Sequence, residues 1–231
     1  MASLRSEFDA ISQTLLRAFG GEPTGAHSPA GPPAESFRAL LRQVLLTQRG
    51  LRVDQAIEAI DREGWADDPA ALAAVDPQEM TDLLRDARGA VPAGVVPLIL
   101  RVAAWVDRLG GMEALAAIDT ESLREELRSI RGIGPTTANQ VLLEVFRRPT
   151  FPISRSDYRV LIRHGWIDPG ADETEAREVI EGAAQSDDPD EMSRLASWFE
   201  SLARFCKASK PRCDRCPLQP FLPDGRPLDP D

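Results

Sequence analysis

Two short stretches of this chain combine residue types and spacings that could do chemistry. The first is Ser129-Ile130-Arg131-Gly132-Ile133-Gly134-Pro135-Thr136-Thr137-Ala138-Asn139, where one helical run, Glu121 to Ile130, gives way at once to another, Thr136 to Phe146. Gly132 and Gly134 can take positive φ. Pro135 suits the first turn of a helix, where its missing N–H is no loss. Such a turn aims successive backbone N–H groups outward at a helix N-terminus, which makes a seat for a phosphate. It would grip a nucleic-acid backbone without reading its sequence. An ordinary αα-hairpin has the same outline and is the alternative. The second stretch holds all three cysteines, Cys206, Cys213 and Cys216. An odd count in so short a span argues against a disulfide framework.

Whether these stretches could meet a polyanion depends on charge. The 231 residues carry a formal net charge of −10, which by itself counts against nucleic-acid binding. The charge is unevenly placed. Arg131 to Gly165 holds six arginines (131, 147, 148, 155, 159, 163) against Glu144 and Asp157, and Ser201 to Pro217 holds five basic residues against Asp214. Between them, Trp166 to Glu200 carries eleven acids against Arg177 and Arg194. Basic patches on an acidic protein can steer a polyanion locally; plain solvated charge would have the same composition.

The framework for both stretches reads as helical throughout. Strand alternation is absent, and apolar residues recur at helical spacing nearly everywhere. Helical runs are expected at Leu4–Phe19, Ser36–Thr47, Val53–Glu63, Pro69–Ala74, Pro77–Ala87, Val95–Leu109 and Met112–Ala117 before the hairpin, and near Ser156–His164, Asp172–Ala184 and Pro189–Phe205 after it. Gly20 to Glu35 is a Pro/Gly linker, and the chain from Cys206 onward is proline-rich without periodicity. No apolar run approaches the roughly 20 residues of a membrane span. Glu7 and Asp9 interrupt any signal-peptide profile, so a cytoplasmic location is expected.

In order along the chain stand Leu45-Leu46-Thr47-Gln48, the hairpin Ile130 to Asn139, Arg159-Val160-Leu161-Ile162-Arg163-His164-Gly165, and Cys206-x6-Cys213-x2-Cys216-Pro217-Leu218. This set resembles endonuclease III and its relatives, the helix-hairpin-helix DNA glycosylases of base-excision repair, from about Ser36 to Leu218. The resemblance implies an all-α, two-domain fold with a C-terminal iron–sulfur loop. Residues 36–150 would form a six-helix domain with the hairpin, and residues 1–35 plus 151–231 a discontinuous helical domain with the cluster. It also implies double-stranded DNA as the partner, bound by a monomer with no membrane, and a damaged base flipped out because its glycosidic bond is unreachable in a stacked duplex. The DNA contacts would be Arg131, Gly132, Ile133, Gly134 and Thr136. Gln48 matches the residue that fills the gap left by the flipped nucleotide, or else it caps its helix.

The chain departs from that family where chemistry is concentrated. The family lysine two residues beyond the second hairpin glycine is Thr136 here, which cannot form an imine. The family aspartate falls on Ser154, and a neutral hydroxyl gives far less field at a developing cation than a carboxylate does. Asp157 lies nearly on the same helical face, three residues on, and is the one catalytic candidate. Ser154-x-x-Asp157 also has the form of a capping box. The expected activity is therefore a divergent DNA N-glycosylase with weak or lost glycosylase and lyase chemistry. A catalytically inactive DNA-binding protein and a helical protein-interaction module are the alternatives. Of the family spacing C-x6-C-x2-C-x5-C, the fourth position is Leu222, and Asp224 is the nearest group that could replace it. A cluster of the 4Fe-4S type on Cys206, Cys213, Cys216 and Asp224 is expected. Three reduced thiols, or a zinc ion still needing a fourth ligand, with His27 and His164 remote in sequence, remain open.

Overall fold

A computed structural model describes residues 3–20, 36–48, 50–86 and 91–228. Among them are twelve α-helices and no strand. The chain divides into two compact units, Ala30–Arg148 and Met1–Pro29 with Pro149–Asp231. The first helix, α1 (Leu4–Phe19), is started by Ser3, whose hydroxyl accepts from the Ser6 N–H, and is stopped by Gly20 at φ 83. The linker expected beyond it, residues 21–35, lies outside the described residues.

Eight helices build the unit that carries the hairpin: α2 (Phe37–Leu46), α3 (Val53–Arg62), α4 (Pro69–Ala73), α5 (Pro77–Asp86), α6 (Val95–Arg108), α7 (Met112–Ala116), α8 (Thr120–Ser129) and α9 (Pro135–Glu144). In α2 the buried residues Phe37, Leu40, Leu41, Val44 and Leu45 recur at the three- and four-residue steps of one helical face. The apolar α6 is the centre of this core, packed by α4, α5 and α2. It ends where Gly110 and Gly111 both take positive φ. Asp119 starts α8 by accepting from the Ser122 N–H.

The other unit draws on both ends of the chain. To α1 it adds α10 (Arg155–Arg163), α11 (Glu173–Ala184) and α12 (Pro189–Leu202), followed by three 3-10 turns at Cys213–Arg215, Gln219–Phe221 and Pro223–Gly225. Leu4, Ile11 and Leu15 are the buried side of α1, which packs on α11 and α12. The chain enters this unit as an extended segment held by Glu181, whose Oε1 accepts from the Thr150 hydroxyl and the Phe151 N–H, both at 2.8 Å.

Candidate nucleic-acid interface and cysteine centre

The hairpin is assembled from buried isoleucines. Ile130 and Ile133 are both buried, and the Ile133 N–H donates to the Ile130 carbonyl at 2.9 Å, closing the turn. The two glycines do different work. Gly132 sits at φ 109, and a Cβ there would meet Leu98 Cδ1 at 3.1 Å, so packing and backbone both require glycine. Gly134 corrects the expectation of positive φ: it is extended, at φ −93 and ψ 177, and is the N-cap of α9. A Cβ on it would meet nothing within 4 Å. Pro135 opens the helix as expected. A helix N-terminus is the end that presents N–H groups, and the side-chain-free Gly134 leaves open space beside that end of α9. The side chain of Arg131 is exposed beside them, while its carbonyl accepts from Arg101 Nε at 3.0 Å.

A buried polar clamp holds the two hairpin helices in register. Arg124 of α8 donates through Nε to Asn139 Oδ1 of α9 at 2.9 Å and pairs with Glu121. Asn139 is 0% exposed. Buried charge-assisted bonds of this kind are stronger than neutral ones and costly to break. Thr136 is half-buried in the first turn of α9, and Gln48 is half-buried just past α2, donating through Nε2 to Thr47 Oγ1 at 3.0 Å.

Ser154 and Asp157 form the capping box that opens α10. The Asp157 N–H donates to Ser154 Oγ at 3.4 Å, and the Ser154 N–H donates to Asp157 Oδ2 at 2.7 Å. Ser154 Oγ is also 2.8 Å from Ser156 Oγ. Asp157 is 4% exposed. Its carboxylate has a structural task at the helix start, where a negative charge is favoured.

Half of the six arginines of the basic segment 131–163, one before α10 and two on it, turn inward to carbonyls and sulfur. Arg148 donates to the Ala116 carbonyl at 2.8 Å. Arg159 donates to the Cys206 carbonyl at 3.1 Å. Arg163, 4% exposed, donates to Cys206 Sγ at 3.1 Å and to the carbonyls of Lys207 and Ala208 at 2.9 and 3.2 Å. Its own carbonyl accepts from the Leu228 N–H at 2.9 Å. Arg204 packs over the rings of Phe19 and Phe205. Lys207, Lys210, Arg212 and Arg215 are exposed around the cysteines.

Cys206, Cys213 and Cys216 line one largely apolar pocket, together with Val160, Arg163, His164, Phe205, Gln219 and Leu222. Burial raises the Cys213 thiol above its ordinary value and pushes Cys216 up to about 11. Among the described residues no group of three or more His, Cys, Asp or Glu is arranged to hold a metal ion. An iron–sulfur cluster is held by cysteine thiolates, and Cys206, Cys213 and Cys216 in the wall of one pocket supply three such donors. Asp224 is not in the wall. It is exposed, at φ 50, on a neighbouring pocket shared with Glu7, Pro220, Phe221 and Pro223. His164 faces two carbonyls, Val160 O at 2.7 Å from Nδ1 and Leu218 O at 3.2 Å from Nε2, and stacks on Trp166. Its burial lowers its pKa. His27 lies outside the described residues. Sequence reading passed over Arg124 and the inward role of Arg163; for neither does local spacing carry a signal, since their partners Asn139 and Cys206 are brought close only by the fold.

Endonuclease III trapped as a covalent intermediate with DNA superposes on 97% of this chain and 98% of its own, with a TM-score of 0.65 and 20% identity. The fold is that of endonuclease III. The family model for the iron–sulfur binding domain of endonuclease III matches residues 206–221, the cysteine loop. The same architecture extends to the H. pylori 3-methyladenine DNA glycosylase bound to 1,N6-ethenoadenine, 16% identical over 88% of this chain and 98% of that one, with a TM-score of 0.62. It extends also to the 8-oxoguanine DNA glycosylase of Thermotoga maritima, 17% identical over 87% and 92%, with a TM-score of 0.52. No curated protein sequence matches the chain. The endonuclease III fold thus accounts for nearly the whole length, and its iron–sulfur segment falls on the loop that Arg163 holds. Among the described residues no helix is long and apolar enough to cross a membrane.

Proposed function

We propose that this protein binds double-stranded DNA as a monomer in the cytoplasm, as a divergent member of the base-excision glycosylases whose glycosylase and lyase chemistry is weak or lost. The observation that carries DNA binding is the hairpin: Gly134 is bare in open space at the N-cap of α9 although neither its φ nor its packing demands glycine. A phosphate is the ligand such a bare N-terminus suits. Arg131 adds an exposed cation next to it, and the exposed cations of the cysteine loop add a second basic surface. The cofactor is an iron–sulfur cluster of the 4Fe-4S type on Cys206, Cys213 and Cys216. It supplies the order that a loop rich in proline and charge lacks by itself. Arg163 and Arg159 hold the first cysteine and its backbone from α10.

The weak-chemistry reading rests on the capping box. With Thr136 and Ser154 at the two positions where the family resemblance expects lysine and aspartate, Asp157 is the remaining carboxylate, and it is committed to starting α10. The test is binding and base release on one panel of lesion-bearing duplexes. Wild type should bind duplex DNA with affinity that falls steeply as salt rises. Gly134→Val should reduce affinity at least tenfold and leave the helical spectrum unchanged. Equal affinity of the two proteins at low salt removes the hairpin from the reading. Vigorous base release unaffected by Asp157→Asn overturns the weak-chemistry half.

A further inference from the structure

We propose that the cysteine pocket holds its cluster through three thiolates alone, and that the fourth iron takes an exchangeable small donor, a thiolate or hydroxide, admitted past Leu222 from the pocket outside. The inference rests on the cluster reading above. Leu222 stands in the wall of the cysteine pocket, buried and without a donor atom. Of the candidates that could replace a thiolate, His164 and Gln219 share the pocket wall with the cysteines and Asp224 does not. Asp224 belongs to the outer pocket and is exposed. Both ring nitrogens of His164 are turned to backbone carbonyls. Gln219 offers a neutral amide, a hard and weak donor beside three soft thiolates. Arg163 brings a cation to Cys206 and cannot ligate.

The route to the fourth iron follows from two shared residues. Leu222 and His164 line both the cysteine pocket and the outer pocket formed with Glu7, Pro220, Phe221, Pro223 and Asp224. These two side chains therefore stand between the cysteine pocket and the outer one. Leu222 is the apolar member of that pair, and a change of its rotamer would open a way for a small ligand. The corner iron would exchange in consequence. Under a one-electron oxidant such as ferricyanide, a [4Fe-4S]2+ cluster held in this way would lose one electron to the oxidant and, as Fe2+ together with its small donor, the iron that no protein residue holds, leaving [3Fe-4S]+. No protein bond breaks in that step.

The experiment compares wild type with Leu222→Cys, Leu222→Ala and Asp224→Ala, each prepared anaerobically, by iron content and electron-spin resonance before and after ferricyanide. Wild type should convert to a three-iron centre and regain its original spectrum when Fe2+, a small thiol and a one-electron reductant such as dithionite are returned. Leu222→Cys should convert roughly tenfold more slowly, as expected when a lost ligand is restored. Leu222→Ala should exchange iron faster than wild type, and Asp224→Ala should match wild type. A wild-type cluster that resists ferricyanide as well as Leu222→Cys does, or one that Asp224→Ala makes labile, overturns the three-thiolate site while leaving the cofactor reading intact. Iron-free protein in every preparation overturns the cofactor reading and this inference together.

Discussion

Gly132 is held at φ 109 with Leu98 3.1 Å from where a Cβ would stand, whereas Gly134 is extended in open space. Gly132→Val should therefore destabilise its unit by about 1–3 kcal/mol, the usual range for a forced backbone, and Gly134→Val by much less. Thermal unfolding of the two variants checks this, and equal losses would contradict it. The same position-by-position logic applies to chemistry. Thr136 has no amine, so borohydride should trap no covalent adduct with abasic DNA; an adduct that disappears on mutating a lysine elsewhere would reveal a migrated nucleophile. Ser154→Asp is the complementary change, because aspartate caps a helix about as well as serine. It should fold normally and raise base release above the wild-type level. Unchanged release would mean that more than the carboxylate has been lost. Residue type alone separates none of these cases: two glycines two apart look identical until φ and neighbours are known.

Among the helices, those with a regular apolar repeat were legible from sequence, since α2 and α6 bury the faces their spacing marks. The capping box of α10 was legible for the same reason, being an interaction between residues three apart. The clamp from Arg124 to Asn139 and the grip of Arg163 on Cys206 were not, because they depend on how two helices and a loop meet. Asp224 was expected near the cysteines from its place in the chain, but the turns Gln219–Phe221 and Pro223–Gly225 carry it to the neighbouring pocket. The start of α8, which leads into the hairpin, is open to titration. Hydrogen bonds from Ser122 hold the Asp119 carboxyl below its ordinary 3.8. A lowered folded-state value means the contribution is present above the unfolded pKa and is lost as pH falls through the folded one. Asp119→Asn keeps a cap without a titrating group, so its stability should decline less than that of wild type below pH 3.8. Parallel acid limbs in the two unfolding curves would refute that role.

For the chain as a whole, the discontinuous unit makes the first helix indispensable to the last ones. Ile11 and Leu15 are fully buried, and α1 packs on α11 and α12. Deleting residues 3–19 should open the unit that carries the cysteines, at a cost of several kcal/mol for the lost apolar burial. The other unit has its own core and should persist. Limited trypsin digestion should then leave a resistant fragment within residues 30–148 and cut readily at Lys207, Lys210, Arg212 and Arg215; resistance throughout would show that α1 is dispensable. The arrangement also sets a timetable during synthesis. A ribosome adding about 5–20 residues per second makes α1 first and its partners on α11 and α12 on the order of ten seconds later. Residues 30–148 emerge in between and can complete their own core while the apolar side of α1 still waits. The hairpin is thus finished before the cysteine centre can begin to form, and α1 is the segment whose exposure a chaperone would have to cover.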